Sequence, residues 1–203
     1  MEIITKEQYN ELKKIDKTVE IFSLNKKIFI GKVVDVYDGD TCKIVINLKN
    51  EFVKFNVRML GYDSPEIRTK NDIEKNFAKI SKNILETLIL NKIVKICCSD
   101  FDKYGRLLGS IITIISTGHE INVNEFMVDN HFGYSYFGDK KKEFNELLEY
   151  YKDIKIIDIE TIDYVIDFKN YYEISLSNDS IITNNNIDVI DNKKNNNCNC
   201  LIL

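Results

Sequence analysis

The sequence is short of proline, histidine and net positive charge, and each shortage narrows what the chain can be. Of its 203 residues, one is proline and two are histidine. His119 follows a Ser-Thr-Gly turn and His131 closes a helix-like run, so neither offers an obvious catalytic pair. No apolar run reaches the roughly 20 residues of a membrane-crossing helix, and the longest apolar stretches read as strands. The opening "MEIITKEQYNELKK" lacks a basic segment followed by an apolar run and a small-residue cleavage site, which reads as an intracellular, cytoplasmic chain. The five cysteines form neither a disulfide framework nor paired Cys-x-x-Cys motifs, which argues against structural zinc. The net charge of −4 gives no general attraction to polyanions. That deficit is local. Residues 27–150 hold 18 basic and 18 acidic residues, residues 1–26 five of each, and residues 151–203 five basic and nine acidic. Any grip on a polyanion must come from the placement of individual side chains.

Periodicity divides the chain into an N-terminal helical extension (1–26), a folded domain (27–152) and an acidic, Asn-rich tail (153–203). Thr5-Lys6-Glu7-Gln8 fits a capping box opening a helix over residues 4–15. Around Val33–Val36, Cys42–Asn47 and Phe52–Val57, alternating residues separated by "YDGD" and "LKNE" predict a three-stranded meander. Ile73, Phe77, Ile80, Ile84 and Leu88 recur at helical spacing and predict the buried stripe of a helix over 70–90. "KIVKICC" and "RLLGSIITII" read as two more strands, and "NVNEFMVDNH" and "DKKKEFNELLEYYKD" as two more helices. Three strands, a helix, two strands and then helices is the order of an α+β fold built on a five-stranded OB-type barrel capped by about three helices. "NDSIITNNNIDVIDNKKNNNCNC" is low in complexity and reads as disordered.

Three segments carry the chemistry: "DGDT" (Asp38 to Thr41), "RMLGYDSPE" (Arg58 to Glu66) and "DKYGR" (Asp102 to Arg106). Alone, each is a turn signal. Together, Asp40, Asp63 and Glu66 supply oxygens suited to a hard divalent cation, and Arg58 and Arg106 supply planar forks that match phosphate. Carboxylates crowded without a cation or proton would repel one another. A cation and two arginines suit a phosphodiester whose attacked phosphorus gathers negative charge. With no histidine pair at hand, Glu66 is the best base. The single proline, Pro65, fixes its own φ and keeps Ser64 extended, so that Asp63 and the Ser64 carbonyl face one ion.

These segments, in motif, spacing and order, resemble the staphylococcal nuclease (thermonuclease) family from about Val33 to about Tyr151. The resemblance implies an OB-fold barrel and calcium-dependent cleavage of DNA, RNA or both. It implies that Asp40 and Asp63 are metal ligands, that Ser64, standing where the family usually has threonine, lends its carbonyl, and that Glu66 is the base or water organiser. Arg58 and Arg106 match the phosphate-gripping arginines, Tyr104 the turn tyrosine, and Tyr134 and Tyr136 the loosely matched substrate-packing position. The competing reading is a catalytically weak nucleic-acid- or protein-binding module of the same fold, tethered to a membrane. The neutral central charge suits such a module, and support for the tether is the final Cys200-Leu201-Ile202-Leu203, a complete prenylation box, with Cys198 as a second acylation point. The oligomeric state is not legible.

Overall fold

The computed structural model describes residues 4–114 and 118–152. In chain order the elements are α1 (Lys6–Leu12), β1 (Ile28–Val36), β2 (Thr41–Leu48), β3 (Glu51–Met59), β4 (Tyr62–Asp63), α2 (Asp72–Ile89), β5 (Ile93–Phe101), β6 (Leu107–Ile114), β7 (Glu120–Asn122), α3 (Val123–Asp129), β8 (Tyr134–Ser135) and α4 (Phe144–Lys152). The tail from residue 153, with Cys198, Cys200 and the expected lipidation, lies outside the described residues.

The meander forms as the alternation requires. Cys42, Ile44 and Ile46 all point into the core, and β1, β2 and β3 pair antiparallel in sequence. Lys49 and Asn50 turn the second hairpin with φ of 52° and 68°, the left-handed pair that a two-residue loop between twisted strands demands. β5 pairs with β1, β6 with β5, and β7 with β6. Parallel pairing of Val57, Arg58 and Met59 with Leu107, Leu108 and Gly109 then joins β3 to β6 and closes the sheet into a barrel, with β7 beyond the seam. This is the expected OB-type architecture. The buried side chain of Asn124 at the start of α3 staples that seam. Its Oδ1 accepts from the Ile111 amide at 3.0 Å, and its Nδ2 donates to the carbonyls of Leu60 at 2.8 Å and Gly109 at 3.2 Å.

The helices depart from expectation in two places. α2 does not bury the whole expected stripe: Ile73 and Ile80 are 54% and 41% exposed, while Ala78, Ser81, Ile84, Leu85, Leu88 and Ile89 face inward. Close approach selects small residues at the crossing, and Ser81 donates its hydroxyl to the Phe132 carbonyl at 2.6 Å. A count of large apolar residues cannot register Ala78 and Ser81 as core. α4 begins only at Phe144, so Asp139 to Glu143 stay non-helical. It docks through an aromatic cluster in which Phe77 of α2 lies 6.0 Å from Phe144 and 5.7 Å from Tyr151 between ring centres. At the N-terminus, the Thr5–Gln8 capping box forms, and α1 is one short helix with no buried residue.

Candidate active site

The first hairpin loop, the segment leaving β3 and the pair β4–β8 converge at one end of the barrel. Asp40 sits in the loop between β1 and β2, where its amide donates to the Asp38 carboxylate at 3.1 Å and its carbonyl accepts from the Met59 amide at 2.8 Å. Gly39 is needed beside it. A Cβ there would lie 2.7 Å from the Ser81 Cβ and 2.8 Å from the Ser64 Cβ. Tyr62, fully buried, donates its hydroxyl to the Gly39 carbonyl at 2.8 Å and so fixes the loop against β4.

Asp40, Asp63, Ser64 and Arg58 are all buried and all in contact. The Arg58 Nη2 lies 2.7 Å from Asp63 Oδ1 and 3.3 Å from Asp40 Oδ2. Its Nη1 donates to the carbonyls of Met59 and Tyr62 at 2.9 and 2.8 Å. One guanidinium therefore sets the spacing of two aspartates. Asp40 Oδ2 also accepts from the Ser64 amide at 2.9 Å and the Ser64 hydroxyl at 3.1 Å, and Asp40 Oδ1 accepts from Thr41 Oγ1 at 2.9 Å. Burial pushes the Asp40 carboxyl up to about 6, although Arg58 pulls the other way. Asp63 is raised as well, by burial and by the charge of Asp40. Both carboxylates thus pay for their ionised form in the absence of a further cation.

Glu66 stands at the rim with its side chain 54% exposed. Its Oε1 and Asp63 Oδ2 share one partner, Lys141 Nζ, at 2.6 and 2.9 Å. Tyr134, expected as a packing surface for substrate, is 5% exposed and donates its hydroxyl to Asp63 Oδ2 at 3.3 Å. Burial, followed by the Asp63 charge, raises that phenol to about 12. Tyr136 is half-buried, edge-on to Tyr134 with centroids 6.3 Å apart.

Arg106 belongs to the adjacent "DKYGR" turn, organised by Asp102. That carboxylate accepts from the Tyr104 and Arg106 amides at 2.8 and 2.9 Å and from Arg106 Nε at 2.7 Å, while Gly105 takes φ of 79°. Against the upward push of burial, these bonds hold Asp102 below the usual carboxylate range. Arg106 precedes Leu107, which pairs with Val57 next to Arg58, so the seam brings the turn toward the aspartates. Tyr104 is 73% exposed, with the Arg106 and Lys103 cations over its ring.

The donor set suits a hard cation in kind. Two buried carboxylates with raised proton affinity, the Thr41 hydroxyl and the backbone at Ser64 are oxygen donors. Among the described residues, no group of three or more His, Cys, Asp or Glu is placed to hold a metal ion, so any further ligands would be carbonyls, hydroxyls or water. Lys141 is the site residue that the sequence reading missed. It is 75 positions from Glu66, in a lysine run read as part of a helix, and nothing in that run distinguishes the lysine that turns toward the carboxylates.

A family profile described as "Staphylococcal nuclease homologue" matches residues 56–155. An "Uncharacterized endonuclease" of Escherichia coli O157:H7 is 30% identical over 98 residues, covering 48% of this chain and 55% of that protein. "Endonuclease YhcR" of Bacillus subtilis is 36% identical over 116 residues, 53% of this chain and 9% of that one. "Micrococcal nuclease" of Shigella flexneri is 26% identical over 131 residues, 63% of this chain and 70% of that one. The chain thus spans little more than half the length of the Escherichia coli relative.

Proposed function

Since the chain belongs to the staphylococcal nuclease family, we propose that it is a calcium-dependent nuclease hydrolysing phosphodiester bonds of DNA, RNA or both. The observation that carries this reading is the buried Asp40–Asp63 pair, spaced by Arg58, with Glu66 beside it at the solvent rim. Asp40, Asp63 and the Ser64 carbonyl would hold the ion. When bound, calcium would supply positive charge to the attacked phosphate and to the water that attacks it.

The protein's own groups divide the remaining work. Glu66 reaches solvent and accepts the proton of the attacking water at its carboxylate. Arg106 has Nε committed to Asp102, which leaves the Nη atoms as a fork for phosphate oxygens. Charge gathering on the phosphate strengthens that contact in the transition state. Arg58 holds the aspartates at their separation, and Tyr134 orients Asp63. Tyr104 offers an exposed ring on which a base can stack.

The test is incubation of the full chain with single-stranded DNA and RNA in calcium, in magnesium and with chelator. Cleavage in calcium that chelator abolishes and magnesium supports less well is the expected result, because irregular oxygen sites suit calcium better than octahedral magnesium. Cleavage that persists in chelator would refute the metal assignment. Binding without cleavage in any condition would replace this reading with that of a binding module.

A further inference from the structure

The two aspartates do not offer all four of their oxygens equally. Asp40 Oδ2 accepts from Ser64 twice and faces Arg58, and Asp63 Oδ1 is taken by Arg58. Among the described residues, the oxygens left for an ion are Asp40 Oδ1, which accepts from the Thr41 hydroxyl, and Asp63 Oδ2. Asp63 Oδ2 is where Lys141 donates, at 2.9 Å, and the same ammonium reaches Glu66 at 2.6 Å. The lysine is brought there by a short strap between β8 and α4. The Lys142 amide donates to the Tyr134 hydroxyl at 3.3 Å, and that hydroxyl bonds Asp63. Behind the strap, Glu143 donates its amide to Glu146 Oε2 at 3.1 Å, and Phe144 enters the aromatic cluster. The backbone of the strap is thus tied at both ends, while the Lys141 side chain, 44% exposed, is free to swing on its four-carbon stem.

We propose that Lys141 is an internal competitor for the cation and sets the ion affinity of the site. It holds Asp63 and Glu66 together when no ion is bound and leaves Asp63 Oδ2 when one arrives. This rests on the metal-dependent reading of the site. An ammonium and a divalent ion want the same oxygen, and a carboxylate oxygen already accepting from Lys141 and Tyr134 has no lone pair left to give. Once displaced, the ammonium also releases Glu66, so the ion and the base become available together.

The experiment is calorimetric titration of calcium into the full chain and into Lys141→Met, Lys141→Gln and Lys140→Met. The last removes an equal charge one residue away. Lys141→Met and Lys141→Gln should bind calcium about tenfold more tightly, the scale of losing an ion pair with one buried partner, and Lys140→Met should stay within about twofold of wild type. Equal or weaker affinity in both Lys141 variants, with melting temperature unchanged, overturns the proposal. So does an equal gain in Lys140→Met, which would make the effect one of general charge. If wild type and variants alike bind no calcium, the metal reading falls as well, whereas equal tight binding by all of them removes only the role of Lys141.

Discussion

Replacing Arg58 with methionine keeps most of the side-chain volume and removes the guanidinium that touches both aspartates. Four contacts go with it: two to the buried carboxylates and two to the carbonyls of Met59 and Tyr62. Breaking a buried ion pair by deleting one partner costs about 3–5 kcal/mol, because the surviving charge is stranded. Each orphaned carbonyl adds about 1–3 kcal/mol where water cannot reach it. A domain with a total stability of about 5–15 kcal/mol has little left after such a loss. Protonation softens the cost, and its sign is fixed. The folded Asp40 carboxyl sits at about 6 rather than 3.8, so the folded state holds the proton more tightly than the unfolded chain. Such a group favours folding at low pH, and its contribution is lost as pH rises through the folded value. Asp63 is shifted in the same direction. Without Arg58 the downward pull on Asp40 vanishes and the window extends upward. Urea unfolding of wild type and Arg58→Met, without metal, at pH 8, 6.5 and 5 should therefore show a gap of at least about 3–5 kcal/mol at pH 8 that narrows toward pH 5. A gap below about 1 kcal/mol at pH 8 would mean that the guanidinium is not the stabilising centre described here. A gap that stays constant or widens on acidification would refute the charge argument.

Three further outcomes are expected. Glu66→Gln and Arg106→Ala should each lower kcat at least about 100-fold with unchanged unfolding curves, as loss of a base or a charge clamp does; near-normal turnover removes that residue from the catalytic set. Asp102→Ala should cost activity through Arg106 while sparing the barrel, since the three bonds that it accepts lie within one exposed turn; a lowered melting temperature with full activity would contradict this. Gly39→Ala should destabilise by about 1–3 kcal/mol, because the added Cβ meets Ser81 and Ser64 below contact distance; stability within about 0.5 kcal/mol of wild type would show that the loop yields instead.

Much of this was legible in advance, for identifiable reasons. Strand alternation is a period of two, and it located β1, β2 and β3 because one face of each is core. Asn122 caps α3 as its side-chain chemistry suggests, accepting from the Asn124 and Glu125 amides. The carboxylates of "DGDT" and "DSPE" meet at one guanidinium, because the meander returns β3 to the loop that carries Asp40. Other features follow from contacts that no local pattern encodes. The face of α2 is set by Ser81 and Ala78 meeting the Phe132 segment, not by its largest apolar residues. Arg58 could be read as a ligand for phosphate, but its bonds to Asp40, Asp63 and two carbonyls depend on the turn around Gly61. Lys141 reaches the site only because Phe144, Tyr150 and Tyr151 seat α4 where they do.

The parallel seam between β3 and β6 has a consequence for the order in which this protein assembles. It joins only three residue pairs, across some fifty intervening positions, whereas the meander and the β5–β6 hairpin are local. Local pairings form cheaply and early, and a long-range closure comes late because its loop entropy is not offset until the end. Asp40, Asp63 and Arg58 lie on one bank of that seam, Arg106 on the other, and Asn124 spans it. A half-folded chain therefore has its carboxylates but not its second arginine beside them, and two unsatisfied sheet edges invite foreign strands. The Leu60 amide, bonded to Gly109 across the gap at 2.9 Å, reports by hydrogen exchange how often the finished barrel reopens there. Chemistry and closure are thus completed in a single event, and the molecule acquires its full site only when that seam shuts.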